Sequence, residues 1–169
     1  LDNGNWPSFR SLGAFGALAK KDLALARRAM RLSTQAMGGI LTDLTIDSGT
    51  TPVVDLARKG THDVIGQRAF GDDPELVITM AREVIEGMLD VGALPIIKHI
   101  PGYGRVTVDP HFDCPVVDAR LDDLRATDFV PFIALRDTPW AMVAHLIFTQ
   151  IDPENAASVS PRLYDLIRN

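Results

Sequence analysis

The chain has 169 residues, of which 46% are hydrophobic and 23% are charged, and its formal net charge is −5. This length suits one domain with a sizeable core, and the composition is that of an ordinary globular protein. The acidic balance and the lack of a Lys/Arg cluster argue against a nucleic acid or a membrane as a partner. No apolar run is long enough to span a bilayer, and the first residues lack signal-peptide features. A single cysteine allows no intrachain disulfide and fits a reducing compartment.

Helix signals occur at several points along the chain. Residues 1–19 are rich in Gly, Pro and Ser and predict a loop. An apolar stripe at helical spacing predicts the first helix over residues 22–44. Asp73 as N-cap and Pro74 in the first turn predict a second helix that ends at Gly92. Three shorter helices are predicted at residues 121–124, 128–135 and 160–169.

Three apolar runs predict strands that alternate with the helices. They lie at residues 46–56, 94–97 and 140–148. Pro52 argues against a regular central strand in the first run. Alternation at this spacing is typical of βα units with a parallel sheet, and a Gly-x-Gly-x-x-Gly motif is absent. The fold class that we predict is α/β, as part of a (β/α)8 TIM barrel, because three strands are too few to close one.

The densest group of chemically active side chains lies in residues 98–111. Lys98 and His99 follow the strand at residues 94–97, and active sites of parallel α/β folds lie at the C-terminal ends of strands. Asp109 and His111 would point to the same side of an extended segment. A carboxylate bound to one imidazole nitrogen fixes the tautomer, so the other nitrogen can give or take a proton near neutral pH. The alternative is a solvated loop pair.

Other polar residues have competing interpretations. Arg68 and His62 are candidates for ligand binding or are simply loop residues, and His145 at a strand end is a candidate ligand or a hydrogen-bonded core residue. Asp55 either caps a helix or binds a ligand.

A zinc or manganese site is the main alternative to acid/base chemistry. Its candidate ligands follow predicted strands and are Asp55, His99, Asp109, His111 and His145. However, the spacings His-x-His, His-x-x-x-His and His-Glu-x-x-His are absent, and Lys98 is an unfavourable neighbour for a cation. We therefore predict neither a metal nor another cofactor.

One long motif resembles the signature of bacterial β-N-acetylhexosaminidases of glycoside hydrolase family 3, the peptidoglycan-recycling type. The motif is Lys98-His99-Ile100-Pro101-Gly102-x-Gly104, then four residues, then Asp109-x-His111. The resemblance extends from about Trp6 over nearly the whole chain. It includes Pro52-Val53-Val54-Asp55, the segment from Ile65 to Pro74, Ala144-His145, Asp152-Pro153-Glu154 and Val159-Ser160-Pro161.

The resemblance implies a TIM-barrel exo-glycosidase. Such an enzyme removes terminal non-reducing β-linked N-acetylglucosamine from muropeptides in the cytoplasm, with retention and a glycosyl-enzyme intermediate. By resemblance, His111 and Asp109 form the acid/base dyad, and Arg68, Lys98 and His99 bind the sugar. The implied partner is a small carbohydrate, and no nucleic acid, membrane or metal is implied.

Several features depart from the family pattern. Tyr103 stands where His is usual, Pro110 where Ser is usual, and Gln67 where an acidic residue is usual. The family's nucleophile, in a Ser-Asp-Asp-Leu-like segment, and its sugar-binding Asp-x-Glu-Gly-Gly-Arg segment are absent from these residues. We therefore expect residues 1–169 to be a single partial TIM-barrel domain, an internal fragment inactive on its own. A metal-dependent TIM-barrel hydrolase and a sugar-binding homologue without turnover remain as alternatives.

Overall fold

A computed structural model describes residues 7–63, 65–108 and 114–169. Within these residues the chain forms six α-helices, five β-strands and one 3-10 turn at Gly66–Arg68. The helices are α1 (Leu12–Ala19), α2 (Leu23–Asp43), α3 (Pro74–Asp90), α4 (Leu121–Ala126), α5 (Val130–Ala134) and α6 (Pro161–Arg168). The strands are β1 (Ser48–Gly49), β2 (Leu94–Ile100), β3 (Val116–Val117), β4 (Trp140–Val143) and β5 (Ile147–Phe148).

Side-chain caps set the starts of the three helices that the sequence predicted best. Asp22, Asp73 and Ser160 each accept a hydrogen bond from a backbone N–H in the first turn of α2, α3 and α6. Pro74 and Pro161 occupy the first turns of α3 and α6, where no intrahelical N–H is needed. The predictions for these helices are confirmed. None of the helices in the described residues combines the length and apolarity needed to cross a bilayer.

The strands form two parallel sheets. The larger sheet has the order β1–β2–β4, and the smaller one pairs β3 with β5. Helix α3 connects the β1 region to β2, and α4 and α5 precede β4, so parallel neighbours are joined by helical crossovers. This confirms the prediction of an α/β fold with parallel strands alternating with helices.

Apart from the length of strand β2, four predictions of secondary structure differ from the structure. The expected loop at residues 1–19 contains α1, which has Ser11 as its N-cap and in which Phe15 and Ala19 are buried. The strand expected at residues 46–56 is a regular strand only at β1, because Pro52 has no N–H to donate. Residues 51–54 still accompany β2 through a bridge from Val53 to Lys98 and three backbone hydrogen bonds. The third apolar run divides into β4 and β5, which belong to different sheets. The helix expected at 128–135 is the shorter α5.

Strand β2 is longer than predicted, and this changes the position of two site residues. It continues to Ile100, so Lys98 and His99 lie within its last three residues instead of after its end. Lys98 still pairs with Met142 of β4, and Ile100 pairs with Val143 across an irregularity at His99. The C-terminal end of β2 therefore carries both side chains.

Two apolar clusters support this end of the sheet. The first lies between α1, α2, α3 and β2 and includes Met30, Val77, Met80, Val84, Met88 and Ile97. The second lies around β3, β5 and α6 and includes Tyr103, Phe129, Leu146, Phe148 and Leu163. Because Tyr103 belongs to the second cluster, the loop after β2 is anchored in the core.

Gly16 provides a stability test of the packing of α1. A Cβ atom at Gly16 would overlap the backbone carbonyl of Phe70, whereas one at Gly39 of α2 would meet open space. We expect Gly16→Ala to lower the free energy of unfolding by about 2 kcal/mol or more, because backbone must move. Gly39→Ala should raise it by about 0.5–1 kcal/mol, since helical alanine is favoured over glycine. Denaturant titration of both variants beside the unmutated protein measures this, and equal midpoints would contradict the packing described.

Candidate active site

Asp55, which is buried, and His99, which is partly buried, form a hydrogen-bonded pair at the C-terminal end of the larger sheet. The His99 Nδ1 lies 2.7 Å from Asp55 Oδ2. Asp55 Oδ1 accepts hydrogen bonds from the backbone N–H groups of Tyr103, at 2.8 Å, and of His99, at 3.3 Å. The Asp55 side chain is fully buried, so these donors replace its water. Because a carboxylate only accepts hydrogen bonds, His99 Nδ1 is the donor and Nε2 remains available to a ligand.

Tyr103 fixes the loop that follows β2. Its ring meets the ring of His99 edge to face, with centroids 4.9 Å apart. Its hydroxyl oxygen accepts a hydrogen bond from the backbone N–H of His145 at 2.7 Å. Burial raises the pKa of the Tyr103 hydroxyl, which keeps it protonated at neutral pH. The tyrosine therefore holds one side of His99 and links β2 to the segment between β4 and β5.

A cleft of about 310 Å³ is lined in part by Lys98, the residue that precedes His99 on β2. Its lining combines cationic and neutral polar side chains with two apolar ones, namely Arg10, Ser11, Leu12, Thr50, Val53, Gln67, Arg68 and Lys98. Lys98 Nζ donates to Thr50 Oγ1 at 3.1 Å. Burial and the positive charge of Arg68 lower the pKa of Lys98, an effect that the Asp55 carboxylate opposes. The structure thus brings the predicted residues Arg68 and Lys98 to one cleft, with His99 adjacent to Lys98 on β2.

The remaining predicted residues lie elsewhere or outside the described part of the chain. His145 has an exposed side chain whose Nδ1 lies 2.6 Å from Ser158 Oγ, so its interpretation as a core residue is wrong. His62 lies in the loop after Asp55, and its backbone N–H donates to the Val106 carbonyl. Asp109 and His111 lie outside the described residues.

The metal-site alternative also depends partly on those two residues. Among residues 7–63, 65–108 and 114–169, no three His, Cys, Asp or Glu side chains come together as a metal-ligating group. Within this part of the chain, the Nδ1 of His99 is directed at Asp55 and the Nδ1 of His145 at Ser158.

Lys98 allows a test of the trade-off between binding and stability. We expect Lys98→Met to reduce kcat/KM about 10²-fold in an active protein, because a charge-assisted donor to substrate is lost. Stability should stay equal or rise, because the lowered pKa means that folding disfavours the Lys98 cation. At pH values between the lowered pKa of Lys98 in the folded chain and the ordinary value of 10.5, the unfolded chain binds more protons than the folded chain. The free energy of unfolding therefore rises with pH in this range, and the cost of burying the Lys98 cation disappears. The melting temperatures of Lys98→Met, of the unmutated protein and of the control Lys59→Met, at an exposed lysine, measured from pH 7 to 10, check this expectation. A clear loss of stability in Lys98→Met at pH 7 would contradict it.

The sequence did not indicate Arg10 or Thr50 as site residues, and it left Asp55 open between a helix cap and a ligand-binding residue. Asp55 directly follows Pro52-Val53-Val54, and its position at the end of a predicted strand is the one sequence feature that indicates a site residue there. Its pairing with His99 spans 44 positions, so no local pattern indicates it. Arg10 and Thr50 lie in segments without a chemical motif, and only the fold brings them to the cleft.

Comparison with known proteins connects this geometry to a family. Residues 2–169 match the model described as the glycosyl hydrolase family 3 N terminal domain. The chain is 38% identical over 166 residues to a protein named beta-hexosaminidase from Stenotrophomonas maltophilia, covering 96% of this chain and 48% of the relative. A beta-hexosaminidase from Xanthomonas campestris is 36% identical over 159 residues, covering 93% and 47%. The chain therefore spans about half the length of the curated relatives it matches.

A solved structure supports the same relationship. The chain superimposes on NagZ from Neisseria gonorrhoeae, crystallised in complex with N-trifluoroacetyl-D-glucosamine, with a TM-score of 0.91 and 29% sequence identity. The match covers 98% of this chain and 50% of that chain. The arrangement of helices and parallel strands described above is therefore the one found in half of that structure.

Proposed function

Because the chain belongs to the family of glycosyl hydrolase family 3 N-terminal domains, we propose that the complete protein is a retaining β-N-acetylhexosaminidase. In this proposal it removes terminal non-reducing β-linked N-acetylglucosamine from peptidoglycan fragments in the cytoplasm. The observation that carries the proposal is the cleft lined by Lys98 and Arg68 near the end of β2, because the next residue after Lys98 is the His99 that Asp55 holds in one orientation.

The fold is part of a (β/α)8 barrel in this proposal. Residues 1–169 form one partial barrel domain, and further strands complete the barrel beside β1 and β4. Support comes from the parallel order β1–β2–β4 with helical crossovers and from the fold match to a chain twice as long. A barrel places its catalytic groups at the C-terminal ends of its strands, which is where Lys98 and His99 lie.

Three residues bind the sugar in this proposal. Arg68 and Lys98 donate charge-assisted hydrogen bonds to sugar hydroxyl or N-acetyl oxygens, and these are stronger than neutral ones. His99 presents Nε2 to the same ligand, because Asp55 occupies its Nδ1. The depressed pKa of Lys98 fits a site that forgoes some stability for binding.

The proposed acid/base is His111, held by Asp109. In the first step His111 protonates the glycosidic oxygen while a carboxylate, on a segment outside residues 1–169, forms a bond to the anomeric carbon and the aglycone leaves. In the second step His111 takes a proton from water, whose oxygen attacks the anomeric carbon and releases the carboxylate. An imidazole with an ordinary pKa of ~6.5 can perform both transfers at neutral pH.

Product stereochemistry tests the proposed function. The protein at its natural length should be incubated with a disaccharide fragment of peptidoglycan that carries N-acetylglucosamine at its non-reducing end. Proton NMR is expected to show β-N-acetylglucosamine first, with the α-anomer appearing only by mutarotation. Release of the α-anomer first would contradict a retaining mechanism, and release that a chelator abolishes would instead support the metal-dependent hydrolase.

A sugar-binding protein without turnover is the second candidate, and Tyr103 is the observation that favours it. This tyrosine takes the place of the usual family histidine, and its hydroxyl and ring are both engaged within the protein. The same incubation distinguishes the two candidates. Saturable binding of N-acetylglucosamine with no product would support the binding protein, and Tyr103→His is then the first substitution to test.

A further inference from the structure

The cleft lined by Arg68 and Lys98 is electropositive. The described residues that line it include a third cation, Arg10, and none of them is an Asp or a Glu. Burial lowers the pKa of Lys98, and the positive charge of Arg68 lowers it further. The Asp55 carboxylate opposes these two effects with a smaller one, and its oxygen atoms already accept three hydrogen bonds elsewhere. A ligand in this cleft therefore meets positive charge.

Arg10 brings its cation from a different part of the chain. It directly precedes Ser11, whose hydroxyl caps α1 by accepting a hydrogen bond from the Ala14 N–H. Ser11 and Leu12 also line the cleft, so the start of α1 forms part of its lining. The Arg10 side chain is exposed and forms no ion pair with a carboxylate of the described residues. Its guanidinium group is therefore available to an anionic group of a ligand.

Gln67 adds a neutral side chain to the lining. In the family that the sequence resembles, an acidic residue is usual at this position. Gln67 Oε1 accepts a hydrogen bond from Ser11 Oγ at 3.2 Å, and a Cβ atom at Gly13 would stand 2.6 Å from it. The amide thus lies against the start of α1 and directly precedes Arg68 along the chain. A glutamate in this place would bring a negative charge into the lining, which the amide does not.

The side chains of the lining are mainly hydrogen-bond donors. Guanidinium and ammonium groups only donate, and Gln67 has two further amide N–H donors while its oxygen accepts from Ser11. Lys98 uses one donor on Thr50 Oγ1, which leaves two N–H groups for a ligand. A sugar hydroxyl both donates and accepts, whereas an ionised carboxylate, sulfate or phosphate only accepts. The donor-rich lining therefore matches an oxyanion better than it matches hydroxyl groups alone.

We infer that this cleft selects substrates with an anionic group, namely a carboxylate, sulfate or phosphate, on or next to the terminal N-acetylhexosamine. The inference rests on the proposed function, because it names a substrate class for that same site. Arg10 is the specificity-determining residue, and the neutral Gln67 keeps the lining positive. A volume of about 310 Å³ is at the small end for ligand sites, so the anion belongs to the terminal sugar or to the group directly attached to it.

The ratio of kcat/KM for an anionic substrate to that for its neutral counterpart measures this selection. The protein at its natural length is assayed on an aryl β-N-acetylglucosaminide and on its 6-sulfate, which places the anion on the terminal sugar. A peptidoglycan disaccharide with a free or a methyl-esterified lactyl carboxylate places it on the aglycone. We expect a ratio of about 10 or more in at least one pair, falling as salt is added. Ratios of one or less in both pairs would overturn the inference.

Two substitutions test whether the selection resides in this cleft. Gln67→Glu is nearly isosteric and keeps an acceptor for Ser11, and Arg10→Gln removes a cation from an exposed position. Each should lower the ratio about tenfold for the anion that the protein prefers. Arg28→Gln is the control, because Arg28 is an exposed arginine of α2 that does not line this cleft, and it should leave the ratio unchanged. An unchanged ratio in Gln67→Glu or in Arg10→Gln would overturn the inference.

Equilibrium binding separates failure of this inference from failure of the proposed function. The same protein is titrated calorimetrically with N-acetylglucosamine, with its 6-sulfate and with N-acetylmuramic acid. If neutral and anionic substrates are turned over equally well, the proposed function stands and the inference fails. If no substrate is turned over, the proposed function fails and the titration decides the inference alone. Binding of an anionic sugar about tenfold tighter than the neutral one would then support it, and equal or weaker binding of both would overturn it.

Discussion

His111→Ala, in the protein at its natural length, is expected to lower kcat/KM about 10²–10⁴-fold on substrates with natural sugar leaving groups. The reason is that the aglycone then departs as an unprotonated alkoxide in the first step, which is the step that kcat/KM reports. Initial rates on a peptidoglycan disaccharide measure the loss. His62→Ala is the histidine control, because His62 has no role in the proposed chemistry, and it should retain near-normal rates.

The leaving group determines which of the two chemical steps is slowed in His111→Ala. With a dinitrophenyl aglycone the first step needs little acid assistance, so the loss shifts to hydrolysis of the glycosyl-enzyme. A burst of phenolate followed by a slow steady rate is expected for His111→Ala and not for the unmutated protein. Equal rates of the two proteins on the natural disaccharide would remove His111 from the mechanism, even if the family activity itself were present.

Asp55→Ala is expected to have the largest effect on both stability and binding. Its removal leaves three donors without an acceptor, namely the backbone N–H groups of His99 and Tyr103 and the His99 ring N–H. Each buried donor left unpaired costs about 1–3 kcal/mol, so the free energy of unfolding should fall by about 3 kcal/mol or more. Denaturant titration measures this, with the exposed Asp63→Ala as the matched control. A change within about 0.5 kcal/mol, as for an ordinary surface aspartate, would contradict the pair described here.

Asp55→Asn separates the two roles of this carboxylate. Its amide oxygen can still accept from the Tyr103 N–H, so much of the stability should remain. Its amide nitrogen is a donor, which favours the His99 tautomer with an unprotonated Nδ1 and places the hydrogen on Nε2. We therefore expect sugar binding to weaken more than stability, seen as a raised KM in a folded protein.

The helices could be predicted from the sequence because their determinants are local. The starts of α2, α3 and α6 are indicated by the N-cap residues Asp22, Asp73 and Ser160. Apolar residues at helical spacing define the buried faces of α2 and α3. The segment of α1 was predicted as a loop because its glycines are poor helix formers. Tertiary packing overrides that preference, since Gly16 lies against the backbone of Phe70.

The site could be predicted in its residue types but not in its contacts. A motif identified Lys98 and His99, yet the length of β2 depends on pairing with β4, which lies about 40 residues further along the chain. The role of Asp55 depends on His99 and Tyr103. Such pairings follow from the topology of the whole sheet, which a local pattern does not contain. The family resemblance supplied the function that spacing alone left open.

The most direct test of the central claim is hydrolysis of a chromogenic β-N-acetylglucosaminide by the protein at its natural length. The account predicts steady turnover that excess chelator leaves unchanged, that N-acetylglucosamine inhibits competitively, and that Lys98→Met weakens. A well-folded protein that binds N-acetylglucosamine but releases no chromophore would contradict the claim, and the cleft lined by Arg68 and Lys98 would then be a binding site without catalysis.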